Sequence, residues 1–506
     1  MKKIILIFCL LIGVLSFIKA QNVYIPDANF KAYLLSNAAI NRNGDNEIQI
    51  SEANTYNSVI FCSSKNISDL TGIEAFVNIT QLICRNNLLT SLDVSKNTLL
   101  TTLLCDGNQL TNLDVSKNTF LERLDCFANQ LTNLNLSENI RLKTLYCNNN
   151  RLVNLDINST NLTSLVCHNN LLSNLDLSNN TSLISLTCYN NQLTSLNLNE
   201  NIALTSLQCF QNQLTSLDVS KNESLAFISC GNNQLTTMDV SRNLMLQSLY
   251  CNNNQIASLD LSKNTALQDL YCNDNQLTTL DLSMNTELMY LYCWNNQLIS
   301  LDISKSLNLK RLWCYQNQLP VLDVSKNTAL RILHCSQNML KNLDVSKNTD
   351  LVSLLSNNNQ LQSLNLRNGN NLNIYEYNYD DETGYAIGFD SRNNPDLLCI
   401  QVDDPSGNYM SSWKKDTNAN FNIDCFLTVG DFIKKDIKLY PIPVKDIINF
   451  SEEVSNIKIL DVSGRVIQQI SDTKKSVNLS KLLKGNYIIS ATKKSGEVIS
   501  KKFIKE

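Results

Sequence analysis

The side chains that could carry out chemistry in this sequence are mainly cysteines and carboxylates, because only 2 histidines occur among its 506 residues. His168 and His334 fall eight units apart in the repeat described below, so they cannot share one site. Asp106 and Asp125 fall in adjacent units and are the nearest approach to a carboxylate pair. They would lie on an open face without a pocket to tune their pKa values, so we predict solvated charges there and no enzyme.

A loop near the start of the sequence, NRNGDNEIQISE, is a candidate metal site. It resembles an EF-hand or dockerin-type calcium loop, with Asn41, Asn43, Asp45 and Glu52 at loop positions one, three, five and twelve. Asn41 replaces the usual aspartate and Asn46 replaces the turn glycine, and both changes lower calcium affinity. Calcium is the one cofactor that the sequence indicates, and none is required. The alternative is a polar turn between capping helices.

The cysteines of the central region recur with a fixed period. The step is 21 residues, apart from 22 at the first interval and 20 between Cys147 and Cys167. This self-similarity predicts a stacked solenoid in which no unit buries its apolar face alone. Side chains stacked in register point the same way, which is poor geometry for disulfides, so we predict free buried thiols. The positions are Cys62, Cys84, Cys105, Cys126, Cys147, Cys167, Cys188, Cys209, Cys230, Cys251, Cys272, Cys293, Cys314 and Cys335.

Two further strings accompany each cysteine. An asparagine follows the cysteine position in 14 successive units, from Asn87 to Asn359, and its amide can serve the unpaired backbone groups of a buried turn. The string L-D-V-S-K-N-T supplies Asp93, Ser95 and Asn97, residue types that hydrogen-bond their own backbone in tight turns. A calcium ladder along these aspartates is the less favoured alternative, because asparagine replaces several of them, namely Asn135, Asn197 and Asn365.

The pattern L-x-x-L-x-C-x-x-N-x-L resembles the leucine-rich-repeat family and is similar to the internalin-like repeat proteins of bacterial surfaces. The resemblance covers about residues 50–370. It implies a curved solenoid with a parallel sheet on the concave face and turns or short helical turns on the convex face. We expect a helical N-terminal cap with the EF-hand-like loop over 21–58, about 15 coils over 59–366, a C-terminal cap over 367–427 and a linker over 428–436.

A line of aromatic residues precedes the cysteines of the later coils and should project from the concave sheet. Large aromatics with polar tips on a solvated face are typical of recognition surfaces, so we predict a ligand-binding line. The alternative is that tyrosine simply suits strands and supports the sheet. The line comprises Tyr250, Tyr271, Tyr292, Trp313 and His334, with Tyr290, Trp294 and Tyr315 beside it.

Beyond the repeat, Cys399 and Cys425 remain as natural disulfide partners. The last segment, 437–506, contains short alternating strands and turn signals, enough for a small β-sandwich. It resembles the C-terminal sorting domain of type IX secretion substrates, although an ordinary adhesion-type sandwich is the alternative. Ile442 departs from the asparagine usual in that family. The matching residues are Tyr440, Pro441, Pro443, Gly464, Arg465, Leu483, Gly485, Tyr487, Lys501, Lys502, Phe503, Ile504 and Lys505.

The two ends together indicate export. Residues 1–20 have a cationic start, an apolar run and a small residue at Ala20, as a signal peptide does, and no later stretch is apolar enough to span a bilayer. The sorting-domain resemblance implies contact with the type IX machinery and release from, or anchoring to, the outer surface of a Gram-negative bacterium. A net charge of -4 excludes a strongly basic nucleic-acid binder. We predict an adhesion or recognition protein for an extracellular protein or glycan, or alternatively a structural surface-coat component.

Overall fold

A computed structural model describes residues 21–158, 160–380, 385–425, 438–461, 465–494 and 498–506. The predicted signal peptide, the predicted linker over 428–436 and Gly464 lie outside these residues. The chain divides into two compact units, 1–425 and 426–506, and each is described by itself.

Two short helices form the N-terminal cap. Helix α1 spans Ala28–Leu35 and begins at Asp27, whose Oδ1 accepts the backbone N–H groups of Asn29 and Phe30 at 2.9 Å. This is the expected N-cap role of aspartate, which satisfies donors that have no partner inside the helix. Helix α2 spans Ile50–Thr55. Phe30 and Leu34 point into the start of the solenoid core and are fully buried.

A parallel sheet of 16 short strands runs through the first unit, one strand to a coil. Partners are 21 residues apart in most of the sheet, as in the pairing of Leu249 with Leu270. Leu333 pairs across to Leu354, and Leu354 pairs in turn with Phe389. The strands are β1 Val59–Phe61, β2 Gln81–Ile83, β3 Thr102–Leu104, β4 Arg123–Asp125, β5 Thr144–Tyr146, β6 Ser164–Val166, β7 Ser185–Thr187, β8 Ser206–Gln208, β9 Phe227–Ser229, β10 Ser248–Tyr250, β11 Asp269–Tyr271, β12 Tyr290–Tyr292, β13 Arg311–Trp313, β14 Ile332–His334, β16 Ser353–Leu355 and β20 Phe389–Asp390.

Strands β1 to β14 each bury a central leucine or isoleucine, and the cysteine that follows each of them is buried as well, whereas a buried serine follows β16 and β20. The 14 repeat cysteines are free thiols in one continuous apolar core. Burial raises the pKa of these thiols, to about 12 for Cys147 and Cys251. They act as small apolar side chains, and this confirms the prediction of free buried thiols. The return segments on the convex side are hydrogen-bonded turns.

The asparagine that follows each cysteine links its coil to the one before. Asn212, for example, donates from Nδ2 to the carbonyls of Cys188 and Cys209, both at 3.1 Å. Its Oδ1 accepts the backbone N–H of Leu193 at 3.0 Å. The same bonds recur from Asn87 to Asn359, and Asn394 continues the series after an insertion. This confirms that the amides pair the backbone groups of each turn.

A second asparagine ladder runs along the convex side, and the sequence interpretation of it was wrong in part. Asp93 does cap its own turn, since its Oδ1 accepts the N–H of Ser95 at 2.9 Å. Asn97, however, does not serve its own turn. It is fully buried, and its Nδ2 donates to carbonyls of the preceding coil, those of Ile73 and Phe76, at 2.9 and 3.0 Å. Local spacing could not reveal this bond, because it joins residues more than 20 positions apart.

The stack continues past residue 366 before it ends. A second parallel sheet forms from β15 Asn342–Asp344, β17 Ser363–Asn365, β21 Cys399–Gln401 and β22 Asn420–Asn422. A small antiparallel pair, β18 Asn378–Asp380 and β19 Tyr385–Ile387, is inserted before β20. Trp413 stacks on Phe389 with ring centroids 4.6 Å apart and closes the core. Cys399 and Cys425 form a disulfide with a Cα–Cα distance of 5.6 Å.

The second unit is an antiparallel sheet folded around its own core. The strands are β23 Leu439–Tyr440, β24 Ile447–Asp461, β25 Val466–Ile470, β26 Lys474–Asn478, β27 Gly485–Lys493 and β28 Val498–Lys505. The long strand β24 pairs with four others, and register shifts along it let the sheet fold over. Val444, Phe450 and Phe503 are buried at its centre. None of the helices in the described parts of the chain is long and apolar enough to cross a bilayer.

Candidate functional site

The two carboxylates that were predicted to be solvated are buried, so that prediction was wrong. Asp125 is fully buried and Asp106 is 4% exposed. Arg123 donates to Asp125 from Nε and Nη2 at 3.0 and 2.8 Å. Arg85 forms ion pairs with both carboxylates, and its Nε lies 2.8 Å from Asp106 Oδ1. Burial raises the pKa of Asp106, and the nearby Arg85 charge opposes that rise. The group is an ion-pair network that neutralises its own charges, which is typical of a structural cluster.

The predicted aromatic line forms one connected cluster, but its centre does not project into solvent. Tyr292 and Trp313 are 4% exposed and Trp294 is 9% exposed. They form a small apolar core of their own, against which Tyr271 and Tyr315 pack. The expectation that the aromatic line projects from the sheet was therefore wrong for Tyr292, Trp294 and Trp313. Strands of a sheet lie about 4.8 Å apart, so large rings on adjacent coils cover one another.

Ring contacts run through the whole line. Tyr250 and Tyr271 lie 4.3 Å apart, and Tyr271 and Tyr292 lie 4.2 Å apart, between centroids. Trp313 meets Tyr292 edge-on at 4.9 Å. Beside this column Trp294 and Tyr315 stack at 5.3 Å, Tyr315 and His334 stack at 4.1 Å, and Arg311 lies 5.8 Å from the ring centre of Tyr290. The rings thus cover one another across adjacent coils, in the stacked and edge-on arrangements that aromatic pairs favour.

His334 is held in its neutral form by this packing. Burial lowers the pKa of His334 to about 3. The imidazole therefore remains uncharged throughout the physiological range, and it acts as an aromatic ring at the end of the stack.

Sequence reasoning missed a second aromatic stack on the same face. His168, Tyr189 and Phe210 stack in consecutive coils with both centroid distances at 4.1 Å. Each occupies the position directly after a repeat cysteine. The signal in the sequence is the recurrence of a ring at this position in three consecutive units. In the same column the next three coils carry Gly231, Asn252 and Asn273 before Trp294 restores an aromatic residue.

This interruption coincides with a cavity. An open cleft of about 620 Å³ lies on the sheet face, and Tyr271, Tyr292, Trp294 and Trp313 form its aromatic side. Its polar side consists of Asn232, Asn252, Asn253, Asn273, Asp274 and Arg311. A volume of this size lies within the range of small-molecule sites, and a few polar groups among aromatic ones are their usual lining.

The calcium candidate residues come together in one loop, and the loop uses most of their polar atoms itself. Glu52 accepts the backbone N–H groups of Arg42 and Asn43 on Oε1 and that of Gln49 on Oε2, at 2.8, 3.3 and 3.0 Å. Asn41 donates to the Asp45 carbonyl at 2.8 Å, and its own Oδ1 is buried without a described donor. Asn41 Oδ1 is thus the oxygen of this set without a described donor, whereas the oxygens of Asn43, Asp45 and Glu52 would share their lone pairs between a cation and the N–H groups of the loop. Among the described residues, no group of three or more His, Cys, Asp or Glu side chains is placed to hold a metal ion.

Comparison with known proteins agrees with this architecture. A family described as the secretion system C-terminal sorting domain matches residues 438–506, and leucine-rich repeats match residues 245–284. Internalin J of Listeria monocytogenes serotype 4b (strain F2365) is 37% identical over 77 residues. That match covers 15% of this chain but only 8% of the length of Internalin J.

Solved structures extend the similarity to the whole solenoid. The functional domain of InlJ from Listeria monocytogenes, which includes a cysteine ladder, matches with a TM-score of 0.67 and 28% identity, over 96% of this chain and 100% of that one. The internalin InlF from Listeria monocytogenes str. 4b F2365 has a TM-score of 0.53 at 23% identity, covering 66% and 96%. YopM from Yersinia pestis has a TM-score of 0.51 at 24% identity, covering 67% and 91%, and it supports the fold alone.

A sorting domain of the type IX kind indicates a protein that is secreted or attached to the outer surface. The repeat phase, the buried cysteine and asparagine columns and the similarity to InlJ all point to one architecture. The chain is therefore a leucine-rich-repeat solenoid similar in structure to the InlJ domain, and its residues 438–506 match the secretion system C-terminal sorting domain.

Proposed function

We propose that the protein is an exported, non-enzymatic recognition protein that binds an extracellular protein or glycan on its concave face. The cleft lined by Tyr271, Trp294 and Arg311 carries the proposal. Aromatic and arginine side chains gathered at a cavity are the groups that contribute most to binding energy at interfaces. The sheet around the cleft is already built, so a ligand would meet a preorganised surface.

The C-terminal domain supports the export half of the proposal. It resembles domains that are read by the type IX secretion machinery, which would be a partner during transport. We propose that the mature protein is then released from, or anchored to, the outer surface of a Gram-negative bacterium. Adhesion would follow from a binding face that is presented there.

A structural surface-coat component is the second candidate. The observation in its favour is the mutual burial of Tyr292 and Trp313, each 4% exposed, which makes part of the aromatic cluster look like sheet support. Such a role requires no ligand. A recognition protein would contact its ligand through the exposed parts of the aromatic cluster, whereas a surface-coat component would not.

A binding screen with paired variants separates them. The full chain is applied to arrays of extracellular proteins and of glycans, alongside Tyr271→Ala and Trp313→Ala. Tyr271 is the sharper test because it is only half-buried. The matched control is Tyr189→Ala, which removes a stacked ring of the same sheet four coils away. We expect the Tyr271 variant to lose binding that the Tyr189 variant keeps. Equal behaviour of both variants and the native chain would assign the aromatic cluster to sheet support.

A further inference from the structure

The polar side of the cleft contains a buried hydrogen-bond acceptor that has no described donor. Asn273 is only 4% exposed, and its Oδ1 lacks a hydrogen-bond partner. A buried polar atom without a hydrogen-bond partner is destabilising, so a group that donates to it is favoured. The convex asparagine ladder has similar oxygens, but those are sealed inside the stack, whereas Asn273 lines the cleft. A ligand in the cleft would therefore lie against the residue that carries this acceptor.

Asp274 fixes the direction in which that acceptor points. The Nδ2 of Asn273 donates to Asp274 Oδ2 at 2.6 Å, and Asn295 donates to Asp274 Oδ1 at 2.6 Å. Turning the Asn273 amide over would place its oxygen against a carboxylate, which is repulsive. The orientation of the amide is thus fixed, with its nitrogen bonded to Asp274 and its oxygen without a donor. A ligand that pairs with Asn273 must therefore supply a hydrogen-bond donor.

The charge of the cleft favours a neutral ligand. Asp274 and Arg311 are its charged lining residues and carry opposite signs, and the other polar groups are asparagine amides and tyrosine hydroxyls. Phosphate or carboxylate recognition uses clusters of arginine or lysine, and this lining has a single arginine. Paired amides and hydroxyls beside aromatic rings suit a molecule that carries many hydroxyl groups and an apolar ring edge.

The sheet itself argues against an extended peptide. Strands β10 to β13 each pair with a strand on both sides in parallel register. Their backbone groups are thereby used within the sheet, so a peptide cannot add to them as a further strand. Recognition at this cleft must use side chains alone.

From these observations we propose that the cleft is a subsite for a neutral glycan, in which Asn273 Oδ1 accepts a sugar hydroxyl and Trp294 forms an apolar wall. This inference rests on the proposed recognition function and narrows its ligand class at this position. Asp274 lines the cleft as well, and its role toward Asn273 is that of a positioning residue, because its carboxylate holds the Asn273 amide nitrogen.

The test uses the full chain and an array of neutral oligosaccharides built from glucose, galactose, mannose, xylose or N-acetylglucosamine. The strongest binder is then titrated against native protein, Asn273→Ala and Asn148→Ala. Asn148 is the matched control, since it occupies the same position after a repeat cysteine and is 8% exposed, but it lies six coils away. We expect Asn273→Ala to bind about tenfold more weakly, as loss of one buried hydrogen bond implies, and Asn148→Ala to bind normally.

A positioning role for Asp274 is tested by Asp274→Asn, which keeps the shape and lets the Asn273 amide turn. We expect this variant to weaken binding and to alter which hydroxyls of the sugar are required, measured with deoxy derivatives of the strongest binder. Equal affinity of the Asn273 and Asn148 variants would overturn the subsite. If the chain binds a protein in a way that depends on Tyr271 and binds no neutral oligosaccharide, the glycan subsite is refuted. The proposed recognition function would not be refuted by that result.

Discussion

The asparagine column beside the cysteines makes a sharp prediction about stability, and Asn212→Ala is the substitution that tests it. Asn212 is 9% exposed and lies in the middle of the stack. Its amide donates to carbonyls of its own coil and of the coil before, and it accepts the N–H of Leu193. Alanine removes all of these bonds and changes little else, because the side chain contributes no strand pairing.

The expected magnitude follows from the groups that are left unpaired. The Leu193 N–H has one hydrogen and one described acceptor, so its loss costs about 2 kcal/mol. The carbonyls of Cys188 and Cys209 lose one donor each, at about 1 kcal/mol apiece. We therefore expect the free energy of unfolding to fall by about 4 kcal/mol, near the upper end of single substitutions. Coupling between neighbouring coils spreads this loss along the array.

The measurement combines urea unfolding with hydrogen exchange. All three tryptophans, Trp294, Trp313 and Trp413, lie in the first unit, so their fluorescence reports on the solenoid and not on the sorting domain. Exchange at the Leu193 amide reports on the coil itself. The control is Gln213→Ala, an exposed neighbour, for which we expect a change within about 0.5 kcal/mol.

Two results would refute the reasoning. If Asn212→Ala unfolds at the same urea concentration as Gln213→Ala, the amide ladder is not a main source of cohesion. If the Leu193 amide is as protected from hydrogen exchange in Asn212→Ala as in the native chain, its hydrogen bond to Asn212 is not what protects it.

Two further predictions concern the thiols and the N-terminal loop. We expect the 14 repeat cysteines to resist iodoacetamide in the native state and to react together on unfolding, because burial keeps their pKa values high; mass spectrometry would contradict this if a subset reacted in the folded chain. We expect calcium, if it binds at Asn41, Asn43, Asp45 and Glu52, to do so with a dissociation constant on the order of 10⁻⁴–10⁻³ M. Calorimetry should show heat that disappears in Asp45→Ala, and a flat titration of the native chain would leave a polar turn as the role of this loop.

The repeating features of the fold were accessible from the sequence, because they depend on spacing. A residue type that returns every 21 positions must occupy one place in every coil, so the cysteine and first asparagine columns could be assigned to the interior. The continuation of the stack to β20 was not accessible in this way. Asn394 follows Asn359 after an insertion that breaks the period, and only three-dimensional pairing shows that it belongs to the same column.

The candidate site was only partly predictable, because burial on an open sheet depends on neighbouring side chains. Trp313 is buried by rings from adjacent coils, and Asp125 is paired with two arginines, of which Arg85 follows a strand two coils away. The cleft exists because Asn273 and its neighbours are small where Phe210 and Trp294 are large. Each of these facts requires knowledge of which columns adjoin, and a single column cannot supply it.

The asparagine of the convex ladder is replaced by Thr160 and by Ser306, and the two replacements differ in a way that has a mechanical consequence. Ser306 still bonds to the preceding coil, through its hydroxyl to the carbonyl of Asn285. In most coils an asparagine of this ladder donates to carbonyls of the preceding coil, as Asn139 does to those of Val115 and Asn118. At Thr160 the hydroxyl instead bonds Ile157 within its own coil, next to the shortened 20-residue step. If the solenoid is placed under tension along its axis, we expect the stack to separate first between the coil of Asn139 and the coil of Thr160. Tension would then open the array at one defined place, sparing the coils that carry the cleft.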